Sequence, residues 1–319
     1  MEAPRESLIV AGARGPLVIE AASGTDLSEY VESSLRTTHE KLLDHGALLF
    51  RGFAVRNAED FSRFVAVVRH SQMEYVYRST PRTSVRAGIF TATEYPKDQE
   101  IPLHNENSYQ RIWPLRVAFC CLVPSETGGE TPIADVRRVT ARLGEGIVNE
   151  FALRGVRYVR HYRPNMDLPW QTVFQTEDRE ALRRFCAAND ICHTWLDSNT
   201  LRTEQECHGV AHHPVTREAV FFNQAHLFHI SSLESDAAES LIELFGPQAL
   251  PRQSYFGDGG EIPLEMLNAV REAFRQEAVM FPWRAGDVMW LDNMRFAHGR
   301  RPFTGARRVL VALMDPSGG

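Results

Sequence analysis

Ile101-Pro102-Leu103-His104-Asn105-Glu106-Asn107-Ser108-Tyr109 is the stretch on which the reading of this chain turns. Residues i and i+2 of a β-strand project to the same face, so a strand here aims the His104 imidazole and the Glu106 carboxylate at one point. Far downstream, Ala297-His298-Gly299-Arg300 supplies a second imidazole. Two histidines and one carboxylate make a ligand face suited to non-haem Fe(II), because the metal is held from one side and positions stay open for a co-substrate and O2. A His-x-Glu triplet alone is a common pattern, so its surroundings decide what it means.

Working outward, the chain has 319 residues, 43% hydrophobic and 24% charged, which is an ordinary globular composition with ample material for a large core. A net charge of −6 argues against a nucleic-acid partner, which calls for a basic face. The one basic cluster, Arg300-Arg301 with Arg307-Arg308, follows the second histidine and suits a carboxylate ligand better than a phosphate backbone. Five cysteines (Cys120, Cys121, Cys186, Cys192 and Cys207) show no paired metal spacing, and Cys192-His193 and Cys207-His208 match no zinc pattern. A reducing, cytoplasmic setting is expected. The N-terminus lacks the basic and apolar regions of a signal peptide, and no apolar run reaches about 18 residues, so no membrane association is expected.

Patterning predicts a helix over 26–45, opened by Asp26 or Ser28 and closed by Gly46, and then a short strand over 47–50. A second helix follows Asn57, with Phe61, Phe64, Val65 and Val68 on its apolar face. Strands dominate 88–135. Helices are expected at 138–152, 178–188, 235–245 and 263–277, and strands near 155–161, 210–215 and 219–223. Strands return at 279–282, 287–292 and 307–314. The expected fold is mainly β with inserted helices, a double-stranded β-helix (a jelly roll, or cupin-like barrel). It is read as one domain over 1–319, with an N-terminal part to about 87 and an insertion over about 138–275 between the barrel halves. Early and late strands must then adjoin, which brings His298 to His104.

The first motif is followed by Gly128-Gly129-Glu130-Thr131-Pro132 and, near the end, by Gly286-Asp287-Val288-Met289-Trp290-Leu291-Asp292-Asn293 and Arg307-Arg308-Val309-Leu310. This ordered set resembles the TauD/TfdA-like family of Fe(II)/2-oxoglutarate-dependent dioxygenases. The wording of the first motif is similar to the branch that modifies amino acids in peptide natural-product pathways, such as the syringomycin-type β-hydroxylases. The resemblance implies His104, Glu106 and His298 as the catalytic metal ligands, Fe(II) as the metal and 2-oxoglutarate as co-substrate. It implies Arg308 and Thr131 as the cation and hydroxyl that bind the distal carboxylate of 2-oxoglutarate. Arginine suits that task through its two-pronged geometry and permanent charge. Neighbouring strand residues face opposite ways, so only one of Arg307 and Arg308 can point inward.

The retained carboxylate Glu106 disfavours halogenation, and Ala312, where taurine-using members carry a further arginine, disfavours taurine. Other candidates for gripping a substrate are Glu94, Asn107, Arg111, Arg163 and Asn223. Trp290, Asp292 and Asn293 are expected to shape the turn before His298, and His212-His213 and His226-x-x-His229 to be ordinary strand or loop histidines. The expected activity is oxidation of an unactivated C–H bond of an amino acid or its derivative, free or bound to a peptidyl carrier protein. Hydroxylation in natural-product biosynthesis is the leading outcome, with desaturation, epoxidation or ring closure as alternatives. A non-redox, cupin-type metal-binding protein is the rival from another class.

Overall fold

The computed structural model describes residues 3–9, 16–22, 24–71, 73, 77, 82–86, 88–92, 95–164 and 166–318. Two sheets form its frame. The larger has eight strands, in the order Arg5–Leu8, Leu17–Glu20, Ala47–Arg51, Val288–Asp292, Ile112–Val123, Arg308–Gly318, Ile89–Thr91 and Ser84–Arg86. The smaller has four, in the order Ala278–Val279, Ile133–Asp135, Phe296–Arg300 and Ile101–His104. Strands from both ends of the chain therefore alternate within each sheet, as the sequence pattern requires.

The central strands are apolar throughout because both their faces are buried, and side-chain alternation sorts them into two layers. Val288, Trp290, Ala118, Cys120, Leu310, Ala312 and Met314 pack against Leu27, Val31, Leu42, Phe61, Phe64 and Val68 of the N-terminal helices. Met289, Leu291, Val117, Phe119, Cys121, Val309, Val311 and Leu313 point the other way and meet Ile133 and Phe296 of the smaller sheet. The space between the two sheets is thus a packed interior, and whatever strand residue keeps step with Val309 and Val311 looks into it. A third body of chain fills the middle of the sequence. Strands Ile191–Trp195, Leu201–Cys207, Val156–Tyr162 and Arg252–Phe256 form a separate sheet, packed with helices Val136–Arg154, Arg179–Ala188 and Leu264–Glu277 around their own aromatic core.

The helix expected over 26–45 is two helices, Leu27–Ser33 and Leu35–His45. Asp26 caps the first through the Ser28 and Glu29 amides, and Ser34 leaves helical geometry (φ −126°, ψ 25°) to start the second. The second ends at Gly46 with φ 76°, the left-handed conformation that glycine adopts without strain. Asn57 caps Ala58–Val68 through the Glu59 and Asp60 amides. The strands Arg5–Leu8, Ile191–Trp195, Leu201–Cys207 and Arg252–Phe256 and the short helix Trp170–Phe174 were not anticipated from patterning.

Candidate metal centre and keto-acid site

His104 closes the strand Ile101–His104 and lies directly opposite His298 of Phe296–Arg300 in antiparallel register. Their rings approach to 4.7 Å between centroids. Glu106 is not on the strand: it falls in the turn that follows, so the carboxylate reaches the histidines by a change of chain direction rather than by strand alternation. That corrects the i, i+2 argument while leaving its outcome in place. The ligand atoms of His104, Glu106 and His298 all lie within 4.8 Å of one another, and His298 Nε2 is 3.6 Å from Glu106 Oε2.

The turn is held by Asn293. Its side-chain oxygen accepts from the Glu106 amide at 2.8 Å, and its nitrogen donates to the Glu106 and Pro114 carbonyls at 2.9 and 2.8 Å. Asn105 Nδ2 donates to the Asn293 carbonyl, and Gln224 Nε2 donates to the Asn105 carbonyl at 2.7 Å. Asp292 accepts from the Met294 and Arg295 amides and pairs with buried His213 at 2.8 Å, so it too shapes the turn before His298.

The donor set fits a divalent transition metal. The ring nitrogen Nδ1 of His104 lies 2.8 Å from the Pro102 carbonyl, which only a protonated nitrogen can satisfy. Nε2 then carries the lone pair for a metal. Burial, then the neighbouring His298, pushes His104 down to about 4, so the ring is neutral near pH 7. Burial by itself raises the Glu106 carboxyl, but Arg82 and the two histidines reverse this and hold it well below the usual carboxylate range. Neutral imidazoles and an ionised carboxylate are the forms that bind metal. His298 Nδ1 is buried without a hydrogen-bond partner, and the ring is instead oriented by Phe119, packed edge-on at 4.9 Å.

At the other end of the interior, the structure sets Thr131 and Arg308 in different surroundings. Thr131 is buried and accepts from Trp283 Nε1 at 3.0 Å, which leaves its hydroxyl proton for an acceptor. Arg308, however, is exposed. A β-bulge lies between Arg308 and Val309 against Ile112–Val123, and alternation from Val309 and Val311 turns Arg307 to the interior and Arg308 to solvent. Arg307 Nε donates to the Gly129 carbonyl at 3.0 Å, two residues before Thr131 in the chain. Burial, then the charge of Arg300, lowers Arg307 to about 10, still far above neutrality. The same shift of face places Ala312 in the helix-packed layer; the interior position is Val311, equally without charge.

Of the other candidates, Arg111 bonds Asp190 and the Glu206 carbonyl, and Arg163 bonds the Ala249 carbonyl. Asn223 bridges the Gly209 carbonyl and the Ala225 amide. All three are structural. Glu94 lies outside the described residues. Asn107 is different: it is 1% exposed, has φ 57°, and among the described residues neither atom of its carboxamide has a hydrogen-bond partner. His212 is exposed, His226 stacks on Phe274 and His229 bonds Ser231, so none of these joins the metal cluster. Arg82 and Trp283 were missed from sequence, since neither lies in a motif whose chemistry announces it.

Residues 12–314 match the taurine catabolism dioxygenase TauD, TfdA family, and the chain belongs to it. It is an enzyme of the Fe(II)/2-oxoglutarate-dependent dioxygenase class. It is 40% identical over 300 residues to the dapdiamide synthesis protein DdaC of Enterobacter agglomerans, spanning 94% of this chain and 91% of that protein. A clavaminate synthase-like protein of Arabidopsis thaliana is 30% identical over 283 residues, 85% of this chain and 82% of the other. In fold the chain is similar to PvcB of Pseudomonas aeruginosa, with a TM-score of 0.56 at 17% identity over 97% of this chain and 90% of that one. Among the described residues, no helix is long and apolar enough to cross a membrane.

Proposed function

We propose that this enzyme oxidises an unactivated C–H bond of an amino acid or amino-acid derivative, most simply by hydroxylation, in natural-product biosynthesis. The observation that carries the reading is the pairing of a His104–Glu106–His298 metal face with an inward arginine and hydroxyl, Arg307 and Thr131, in one interior. A metal-binding barrel without redox chemistry has no use for the second pair. We read the two facing sheets as a jelly roll in a single domain whose insertion, about 138–275, covers one side.

His104, Glu106 and His298 hold the metal, and Arg307 with Thr131 holds the distal carboxylate of 2-oxoglutarate. Bound together, iron and 2-oxoglutarate supply the oxidising power by coupling O2 reduction to loss of CO2 and formation of succinate. The protein's part is placement. Thr131 is aligned by Trp283, Arg307 is anchored on the Gly129 carbonyl, and Phe119, Val309 and Val311 keep the interior apolar so that water is displaced. Asn107, next to Glu106 and buried without a partner among the described residues, supports a substrate with a hydrogen-bonding group rather than a hydrocarbon, because a buried carboxamide left unpaired costs on the order of 1–3 kcal/mol. The likeness to a dapdiamide synthesis protein supports a small amino-acid-type substrate, free or carrier-bound.

The test has two stages. Anaerobic Fe(II) and 2-oxoglutarate added to the protein give the weak visible charge-transfer band of a chelated keto acid, and its absence refutes the cofactor assignment. A panel of free and carrier-bound amino acids is then screened for stimulated succinate release. Hydroxylation adds roughly 16 mass units, whereas a loss of roughly 2 signals desaturation or ring closure. Turnover of taurine, with no response to any amino-acid compound, refutes the substrate class and leaves the metal site standing.

A further inference from the structure

Glutamate has one more methylene and one more free torsion than aspartate, so a glutamate ligand needs something to stop it turning. Arg82 Nη2 donates to Glu106 Oε2 at 2.7 Å, and both side chains are buried, at 3% and 5% exposure. This is the same oxygen that faces His298 Nε2 at 3.6 Å. Arg82 is presented by a hairpin: Thr91 N donates to the Thr83 carbonyl at 2.9 Å, and Ser84–Arg86 pairs with Ile89–Thr91. The hairpin is laid on Arg308–Gly318, Leu310 opposite Thr91, with the Ala92 amide bonded to the Val309 carbonyl at 2.9 Å. The strand that brings Arg307 inward therefore also seats the arm that carries Arg82.

We infer that Arg82 is a positioning residue that confines Glu106 to binding the metal through one oxygen. A carboxylate can bind a cation through one oxygen or both. With one oxygen tied to a guanidinium, Glu106 takes a single position, and a six-coordinate metal held by this face keeps three positions for incoming ligands. Two of these suit the chelating end of a 2-oxo acid and one is left for O2. If Glu106 turned and chelated, it would compete with the keto acid. The cation also offsets the charge of Glu106 in the buried site, so a dianionic 2-oxo acid enters a pocket of more favourable charge. The inference rests on the proposed metal site and concerns what one residue of this chain does there.

The test uses the full-length protein saturated with Co(II), without O2, read by calorimetric titration with 2-oxoglutarate. The circular dichroism spectrum of Arg82→Gln is recorded first, so that loss of fold is told apart from loss of this one contact. The expected result for Arg82→Gln is a 2-oxoglutarate affinity lower by about tenfold or more, because the second carboxylate oxygen takes a position that the keto acid otherwise fills. In a Glu106→Ala background the Arg82→Gln change has no further effect. Glu106→Asp is the second variant: with one torsion fewer the carboxylate needs no such tie, so Arg82→Gln made in that background costs less 2-oxoglutarate affinity than it does in the native chain. Wild-type 2-oxoglutarate affinity in Arg82→Gln, or an equal loss from Arg82→Gln in the Glu106→Asp background, overturns the inference. So does an equal loss from Arg82→Gln with Glu106 absent, which makes Arg82 a direct contact of the keto acid. Unchanged Co(II) affinity in His298→Ala is a separate result: it removes the metal site itself, however the Arg82 variants behave.

Discussion

Truncating Arg307 to alanine discriminates between the two faces of the Arg308–Gly318 strand more sharply than any other change. Arg307 bonds the Gly129 carbonyl, two residues before Thr131 in the chain, while Arg308 is exposed one position on. A charge-assisted hydrogen bond contributes about 1.5–3 kcal/mol, and Arg307 is partly buried. That converts to roughly a ten- to a hundredfold weaker dissociation constant for 2-oxoglutarate. Arg308→Ala removes only a solvated charge, and the expected change is under about threefold, consistent with the small contribution of exposed ions. The assay is anaerobic titration of the Fe(II)-loaded protein with 2-oxoglutarate, followed by the charge-transfer band, with iron affinity measured in parallel and expected to hold. A large loss in Arg308→Ala with Arg307→Ala near wild type refutes the facing of the strand. Equal loss of iron and 2-oxoglutarate in Arg307→Ala refutes the assignment of Arg307 to the distal carboxylate.

His104→Ala or His298→Ala is expected to abolish measurable iron binding and turnover while leaving the circular dichroism spectrum unchanged; full iron content in either purified variant contradicts the ligand assignment. Asn293→Ala strands the Glu106 amide and two carbonyls in a buried turn, and is expected to lower stability by on the order of 3–5 kcal/mol in chemical denaturation. Burial, with Arg271 next, lowers buried His226 from 6.5 to about 3, so the unfolded chain binds the extra proton between those values. Stability contributed by neutral His226 is complete above about pH 6.5 and falls with acid by on the order of 1.4 kcal/mol per pH unit. His226→Gln flattens that part of the pH–stability curve measured on metal-free protein, and an unchanged curve rules the histidine out as its source.

The sequence was legible where pattern and chemistry agree. Asn57, Gly46 and the apolar spacing of Phe61, Phe64, Val65 and Val68 each act locally, and each stands where its chemistry places it. His104, Glu106 and His298 were legible as a candidate ligand set because few other tasks call for those three residue types, and the structure brings their ligand atoms within 4.8 Å of one another even though Glu106 comes from a turn. Arg307 and Arg308 were not separable, since their facing is set by a bulge against another strand, a long-range property that leaves no mark on local periodicity. Arg82 was invisible for a similar reason: its partner Glu106 is brought near by the hairpin's docking on a strand from the other end of the chain. The break at Ser34 escaped because neither glycine nor proline marks it.

His104 and His298 are cross-strand neighbours in direct register. Their separation is therefore dictated by the inter-strand spacing of an antiparallel ladder, and the many residues between them have no say in it. The inserted sheet and its helices can lengthen, shorten or exchange side chains without retuning the distance between the two imidazoles. The carboxylate is the exception: Gln224 and His213, both from the middle of the chain, hold the turn of Glu106 and the strand end beside it, so changes there act on Glu106 rather than on the two histidines.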